Sequence, residues 1–144
     1  MQQMPHHYAV TARAEPEGVV PLESAGLQPL DTAPPAEFGG PGDLWSPENL
    51  LVAAVADCYL LTFRAIARAS RLEWHSLECQ VTGTLDRVDK MASFTQFDIK
   101  AQLKAPPGTD EAKARRLLEK AEKGCLISNS LKAEMKLEIE LALL

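Results

Sequence analysis

Cys58, Cys79 and Cys125 are the residues with the most chemistry to offer. A thiolate is a nucleophile and a metal ligand, and peroxide converts it to a sulfenic acid that a second thiol can close into a disulfide. The three cysteines are far apart in sequence, which leaves no C-x-x-C redox motif and no paired spacing for zinc. The histidines add no ligand spacing: His6 and His7 fall in the terminal stretch, and His75 is expected at a strand edge. No Gly-rich phosphate loop, no serine elbow and no Cys/His pair with a local signature is present. No metal site is therefore expected. Taken alone, each cysteine is more commonly a small buried hydrophobe than a nucleophile.

The elements that must position these thiols can be read from periodicity. Cys58 lies within a long apolar helix that Ser46-Pro47-Glu48 starts. The serine caps free amides, proline suits the first turn and the glutamate complements the positive end of the dipole. This helix is predicted to run to about Ser70. It is apolar almost all round from Leu50 to Ala56, so that part must be buried on most sides. Asp57, Arg64, Arg68 and Arg71 fall on one stripe, its expected exposed edge. Cys79 faces inward on a strand with Leu77, Val81 and Gly83. Cys125 follows a second helix, capped by Thr109 or Asp110 and stopped at Gly124, and a further helical turn is expected over Leu126–Leu131. Strands are expected at Tyr8–Ala14, Val19–Glu23, around Leu27–Leu30, at Phe94–Leu103, and over the alternating Met135–Leu143. Asp31–Asp43 reads as a Pro/Gly loop and Leu85–Met91 as a turn. The order of strands, buried helix, strands, helix and strand is α+β, in one domain over residues 1–144.

Composition narrows the function classes. A net charge of −5 with no Lys/Arg cluster argues against a nucleic-acid partner. The apolar stretch from Leu50 to Ala67 contains Asp57 and Arg64, which argues against a membrane span. MQQMPHHYAV lacks the basic and apolar regions of a signal peptide, so a cytoplasmic location is expected. Three cysteines in a reducing compartment point to chemistry or packing rather than to a structural bridge.

SPENLLVAAVADCYLLTF resembles the N-P-E-x-L…A-x-x-x-C-F helix of the OsmC/Ohr family of peroxide-reducing proteins. AEKGCLISNSLKAEMKLEIEL resembles its A-x-x-x-C-P-x-S-x-x-L-K-A-E ending, LDRVDKMASFTQFDI its L-D-K-V-D turn and following strand, and EGVVPLESAGL its second strand and turn. The match covers nearly the whole chain and leans to the OsmC-like branch. The resemblance implies an OsmC-like α+β fold of antiparallel sheets with a long buried helix and a second helix, assembled as an intertwined homodimer with two equivalent sites at the interface. It implies that Cys58 attacks a hydroperoxide and becomes a sulfenate, and that Cys125 resolves it as a disulfide. An external dithiol, such as a lipoyl group or a small thiol, then reduces the pair. No bound cofactor is implied. Glu48 matches the glutamate of the P-E motif. Ten residues along a regular helix is a rise of about 15 Å, so Glu48 reaches a Cys58 only if the helix end bends or if a second subunit supplies it.

Three positions depart from the family pattern. The family arginine between the first two strands falls at Glu15 here, and Arg13, two residues earlier on the same face, is the candidate to replace it. Leu126 stands where proline is common after the second cysteine, which is expected to loosen Cys125. Asp57 stands beside Cys58, where a small residue is common. Cys58 is mid-helix and gains nothing from its own helix terminus. Cys125 at the start of a short helix could be the better-stabilised thiolate, which leaves reversed roles open. Leu61, Tyr59 and Phe63 are expected to line an apolar substrate pocket, with Phe38 closing over it, as suits alkyl hydroperoxides. The competing reading is a family fold with weak or no peroxidase activity that binds a small molecule or senses redox state. A protein thiol oxidoreductase lacks the C-x-x-C it would need.

Overall fold

The computed structural model covers residues 1–144. The chain forms two compact units, Met1–Leu50 and Leu51–Leu144.

In the first unit β1 (Thr11–Ala12), β2 (Val20–Glu23) and β3 (Leu30–Thr32) form an antiparallel sheet in that order. The strand predicted over Tyr8–Ala14 is reduced to Thr11–Ala12, because only Leu22 and Glu23 of β2 are opposite it. Tyr8 and Val10 stay exposed. The strand expected around Leu27–Leu30 begins at Leu30. Ser24 to Leu27 is instead a turn, closed by the Leu27 N–H on the Ser24 carbonyl and by Gly26 at φ 79°. The Pro/Gly loop holds one 3-10 turn, Ala36–Phe38, and Gly40 packs so tightly on the Pro34 carbonyl that a Cβ there would collide with it.

Helix α1 spans Pro47–Ala69, as predicted. Ser46 Oγ accepts the Asn49 N–H at 3.1 Å and donates to Asn49 Oδ1 at 2.8 Å, while the Ser46 N–H donates to the same oxygen at 3.2 Å. This is a reciprocal capping box with asparagine in the usual glutamate place.

In the second unit β4 (Ser76–Val88), β5 (Met91–Ala105) and β6 (Glu134–Leu143) form a sheet in that order. Residues Leu85–Met91 do not form a long turn. The β4–β5 hairpin continues to Val88 and Met91 and turns on Asp89 and Lys90, both at positive φ (51° and 67°). The sheet is mixed rather than antiparallel, because β6 lies parallel to β5. The crossover is α2 (Glu111–Gly124), capped by Asp110, whose side chain accepts the Lys113 N–H at 3.1 Å, followed by the single turn α3 (Leu126–Asn129). One sheet face is polar. The other meets Val55, Tyr59, Phe63 and Ala67 of α1, and Ala114, Leu117, Leu118 and Ala121 of α2, around Phe97, Ile99, Ala101 and Leu103. The 55/59/63/67 stripe repeats every four residues, the spacing that puts one helix face on a sheet. The opposite stripe of Asp57, Arg64 and Arg68 is exposed, as expected.

Candidate active site

The fold brings Cys58 and Cys125 together. Cys58 is half-buried on α1, and Cys125, fully buried, is both the last cap of α2 and the first cap of α3. Both are free thiols. The first turn of any helix leaves amides without intrahelical partners. Here the Ile127 and Leu126 amides, at the start of α3, face the Cys58 sulfur. The Thr62 hydroxyl, one turn along α1, is 3.8 Å from the same sulfur.

Burial alone would push the Cys58 thiol up. The Ile127 amide, the Cys125 thiol, the Thr62 hydroxyl and the Leu126 amide outweigh it and hold Cys58 below the ordinary thiol value. The groups that lower it are all neutral. Cys125 is shifted the other way: burial raises it, the hydroxyl and amide of Ser128 offset part of that, and its neighbour Cys58 raises it again. Ser128 Oγ donates to Cys125 Sγ at 3.4 Å. Of the two thiols, Cys58 is the one that ionises first. The start of α3 thus serves both thiols: its Leu126 and Ile127 amides face Cys58, and its Ser128 amide and hydroxyl serve Cys125. Leu126 does more than replace a proline: it supplies an N–H that proline lacks.

Cys79 stands inward on β4, packed against the core. Burial, then the nearby Cys125, push it up to about 11. Roughly one molecule in 10⁴ carries a Cys79 thiolate at pH 7, so Cys79 is inert there. Iodoacetamide at neutral pH is accordingly expected to label Cys58 well before Cys125 or Cys79, read by peptide mass spectrometry. Leu126→Pro, a tolerated change at a first helical position, is expected to move the Cys58 labelling profile to higher pH, because the anion loses a donor. An unchanged profile would deny the Leu126 amide that role.

Tyr59 and Phe63 do not line a substrate pocket. They are fully buried on the sheet-facing stripe of α1, one position round the helix from Cys58. Tyr59 donates its hydroxyl to the Leu118 carbonyl at 3.0 Å, and Phe63 packs edge-on to Trp74. Leu61 is exposed, as a lining residue could be.

Arg13 and Glu48 belong to the first compact unit, and the thiols to the second. Arg13 is exposed just past β1, with its N–H on the Pro21 carbonyl at 3.3 Å. Glu15 is exposed too. Glu48, in the first turn of α1, borders a largely apolar cavity with Val20, Thr32, Pro35 and Phe38. Its Oε1 is buried there with no hydrogen-bond partner.

The sequence reading did not single out Thr62, Ser128 or the α3 amides. Thr62 had a signal in its four-residue spacing from Cys58, and Ser128 in its three-residue spacing from Cys125. The amides have no side-chain signature at all.

Residues 40–140 match the family model described as OsmC-like protein. The uncharacterized protein YmaD of Bacillus subtilis is 28% identical over 140 residues, covering 94% of this chain and 93% of its own. The organic hydroperoxide resistance protein of Xanthomonas axonopodis pv. citri is 31% identical over 114 residues, 75% of each chain. Among solved structures, an OsmC-like protein of unknown function from Vibrio cholerae superposes with a TM-score of 0.85 at 18% identity, covering 94% of this chain and 99% of that one. With its α+β fold of two sheets and few helices, the chain belongs to the OsmC family.

Proposed function

We propose that this protein is a thiol-dependent peroxidase that reduces organic hydroperoxides, as one OsmC-like domain acting in a homodimer in the cytoplasm. The observation that carries the proposal is the polarised thiol pair: Cys58 held low by neutral donors, beside Cys125 raised by burial. The Cys58 thiolate attacks the distal peroxide oxygen. The O–O bond breaks, the alcohol leaves with a proton, and Cys58 is a sulfenic acid. Cys125 attacks that sulfur, water departs with the sulfenic oxygen, and a Cys58–Cys125 disulfide forms. An external dithiol reduces it by exchange and leaves oxidised. The name of the Xanthomonas relative, an organic hydroperoxide resistance protein, supports this substrate class. Consumption of cumene hydroperoxide faster than hydrogen peroxide, driven by dithiothreitol or dihydrolipoamide, is the expected result, and equal rates would count against an apolar substrate.

Two features favour assembly with a second copy. The 18-residue stretch from Leu50 to Ala67 in α1 has a mean hydropathy of 1.8, yet only Val55, Tyr59, Phe63 and Ala67 are fully buried and Leu61 is exposed. Glu48 Oε1, buried and unpartnered, calls for a donor, since leaving such a group unpaired costs about 1–3 kcal/mol. In this reading Glu48 serves the Cys58 of the other subunit and Arg13 joins it there. Mixing Cys58→Ser with Glu48→Ala protein, after dissociation and reassociation, tests this. Hybrid dimers are expected to regain one intact site and up to half the wild-type activity. No recovery would place Glu48 on its own chain's thiol or remove it from the chemistry.

The second reading, a family fold with weak peroxidase activity that binds a small molecule or senses redox state, draws on Glu15 at the family arginine position. A wild-type protein that stays fully reduced under hydroperoxide would favour it.

A further inference from the structure

Thr62 stands in the middle of α1, a place where threonine is a mediocre helix former and its hydroxyl commonly turns back to the carbonyl four residues earlier. Here its hydrogen-bond partner is the Cys58 sulfur, 3.8 Å away. Its methyl is turned toward the end of α2, where a Cβ built on Gly124 would lie 3.7 Å from Thr62 Cγ2. The hydroxyl lies on the side of the thiol. We propose that Thr62 is a catalytic residue of the Cys58 site, its hydroxyl donating to the thiolate and stabilising it for attack.

The direction of that hydrogen bond follows from charge. As a neutral thiol, Cys58 can donate to Thr62 or accept from it. As a thiolate it can only accept, and hydrogen bonds to an ionised partner are roughly twice as strong as neutral ones. The same contact therefore favours the charged form of the sulfur. The effect is local, because Cys58 is only half-buried and water shares the task. Every other donor on this sulfur is a backbone amide or the second thiol, which makes Thr62 the one helper whose donor a substitution can delete without touching the backbone or the redox pair. The proposal rests on the peroxidase reading for its consequence, but its test does not need peroxide.

The test is the pH dependence of Cys58 alkylation by iodoacetamide in the full chain, followed peptide by peptide. Thr62→Val keeps the shape and the methyl and removes the donor. Thr62→Ser keeps the donor and removes the methyl. The valine variant is expected to shift the Cys58 profile to higher pH, with a rate at pH 7 lower by about three- to tenfold and the same limiting rate at high pH. The serine variant is expected to restore the wild-type profile. Peroxide consumption by Thr62→Val should fall by the same factor at pH 7 and recover at high pH. If valine disturbs packing, seen as lost thermal stability, Thr62→Ala gives the same reading. A profile that superimposes on wild type in the donor-free variants, or a serine variant that behaves like valine, would overturn the proposal. A shifted profile in a protein that consumes no peroxide would leave Thr62 as the thiolate donor and reject the peroxidase reading alone.

Discussion

Cys58→Ser is expected to lose dithiol-driven hydroperoxide consumption by on the order of 10³-fold or more, the scale on which an activated nucleophile matters. Cys125→Ser is expected to behave differently. It should react once, at near the wild-type rate, and hold a sulfenic acid on Cys58 that dimedone traps. The contrast follows from the polarity of the pair. Cys58 is the more readily ionised thiol because the Ile127 and Leu126 amides, the Cys125 thiol and the Thr62 hydroxyl together outweigh its burial. Cys125 is fully buried and raised, which makes it the weaker nucleophile of the pair, and it sits beside the Cys58 sulfur. Serine at 58 leaves the site with two raised thiols, Cys125 and Cys79, and neither is a competent nucleophile at neutral pH. The pH sign is fixed as well. The Cys58 thiolate persists below the pH at which an ordinary thiol protonates, so the single-turnover rate should hold on descending through that range and fall only at the lowered Cys58 pKa. Dimedone on Cys125 of the Cys58→Ser protein, at the wild-type rate, would reverse the assignment.

Phe97→Ala is expected to cost about 3–5 kcal/mol of stability. Phe97 is fully buried on the central strand β5, opposite Gly83 of β4 and Met135 of β6. Its ring stacks on Phe94 with centroids 5.3 Å apart. Gly83 is the small residue that makes room: a Cβ there would come within 2.9 Å of Val52 Cγ2 and 3.0 Å of the Phe94 and Phe97 Cε1 atoms. The two aromatic rings thus occupy space that almost any other residue at position 83 would contest. Truncating Phe97 leaves a hole between the sheet and the α1 stripe that seats Cys58's neighbour Tyr59. Urea unfolding at an unchanged m-value measures the loss, and a change below about 1 kcal/mol would mean that the core is not organised around Phe97.

The elements were largely legible because their signals are local. Ser46-Pro47-Glu48 starts α1 where predicted, Gly124 ends α2, and the alternation from Met135 to Leu143 is a strand. The errors have physical causes. Asp89 and Lys90 form a two-residue hairpin turn without the Gly or Asn that would have announced positive φ, so a turn was expected across residues that pair. The alternation of β6 reads the same in either direction, and its parallel pairing is decided by the α2 crossover. Tyr59 and Phe63 were expected at the substrate because they flank Cys58 in sequence, but the four-residue stripe turns them into the core. The meeting of Cys58 and Cys125 could not be derived from their spacing, and only family resemblance pointed to it. What polarises the pair was less legible still, since amides leave no trace in residue types, and at position 126 the useful property is simply not being proline.

One hydroperoxide molecule is expected to convert this thiol pair, and no other, into a disulfide. Peptide mapping of the reduced protein after a single equivalent of cumene hydroperoxide, quenched by alkylation in acid, tests it most directly. The expected product is a Cys58–Cys125 disulfide within the chain, with Cys79 recovered as a free thiol. Three reduced thiols, or a disulfide that includes Cys79, would contradict it.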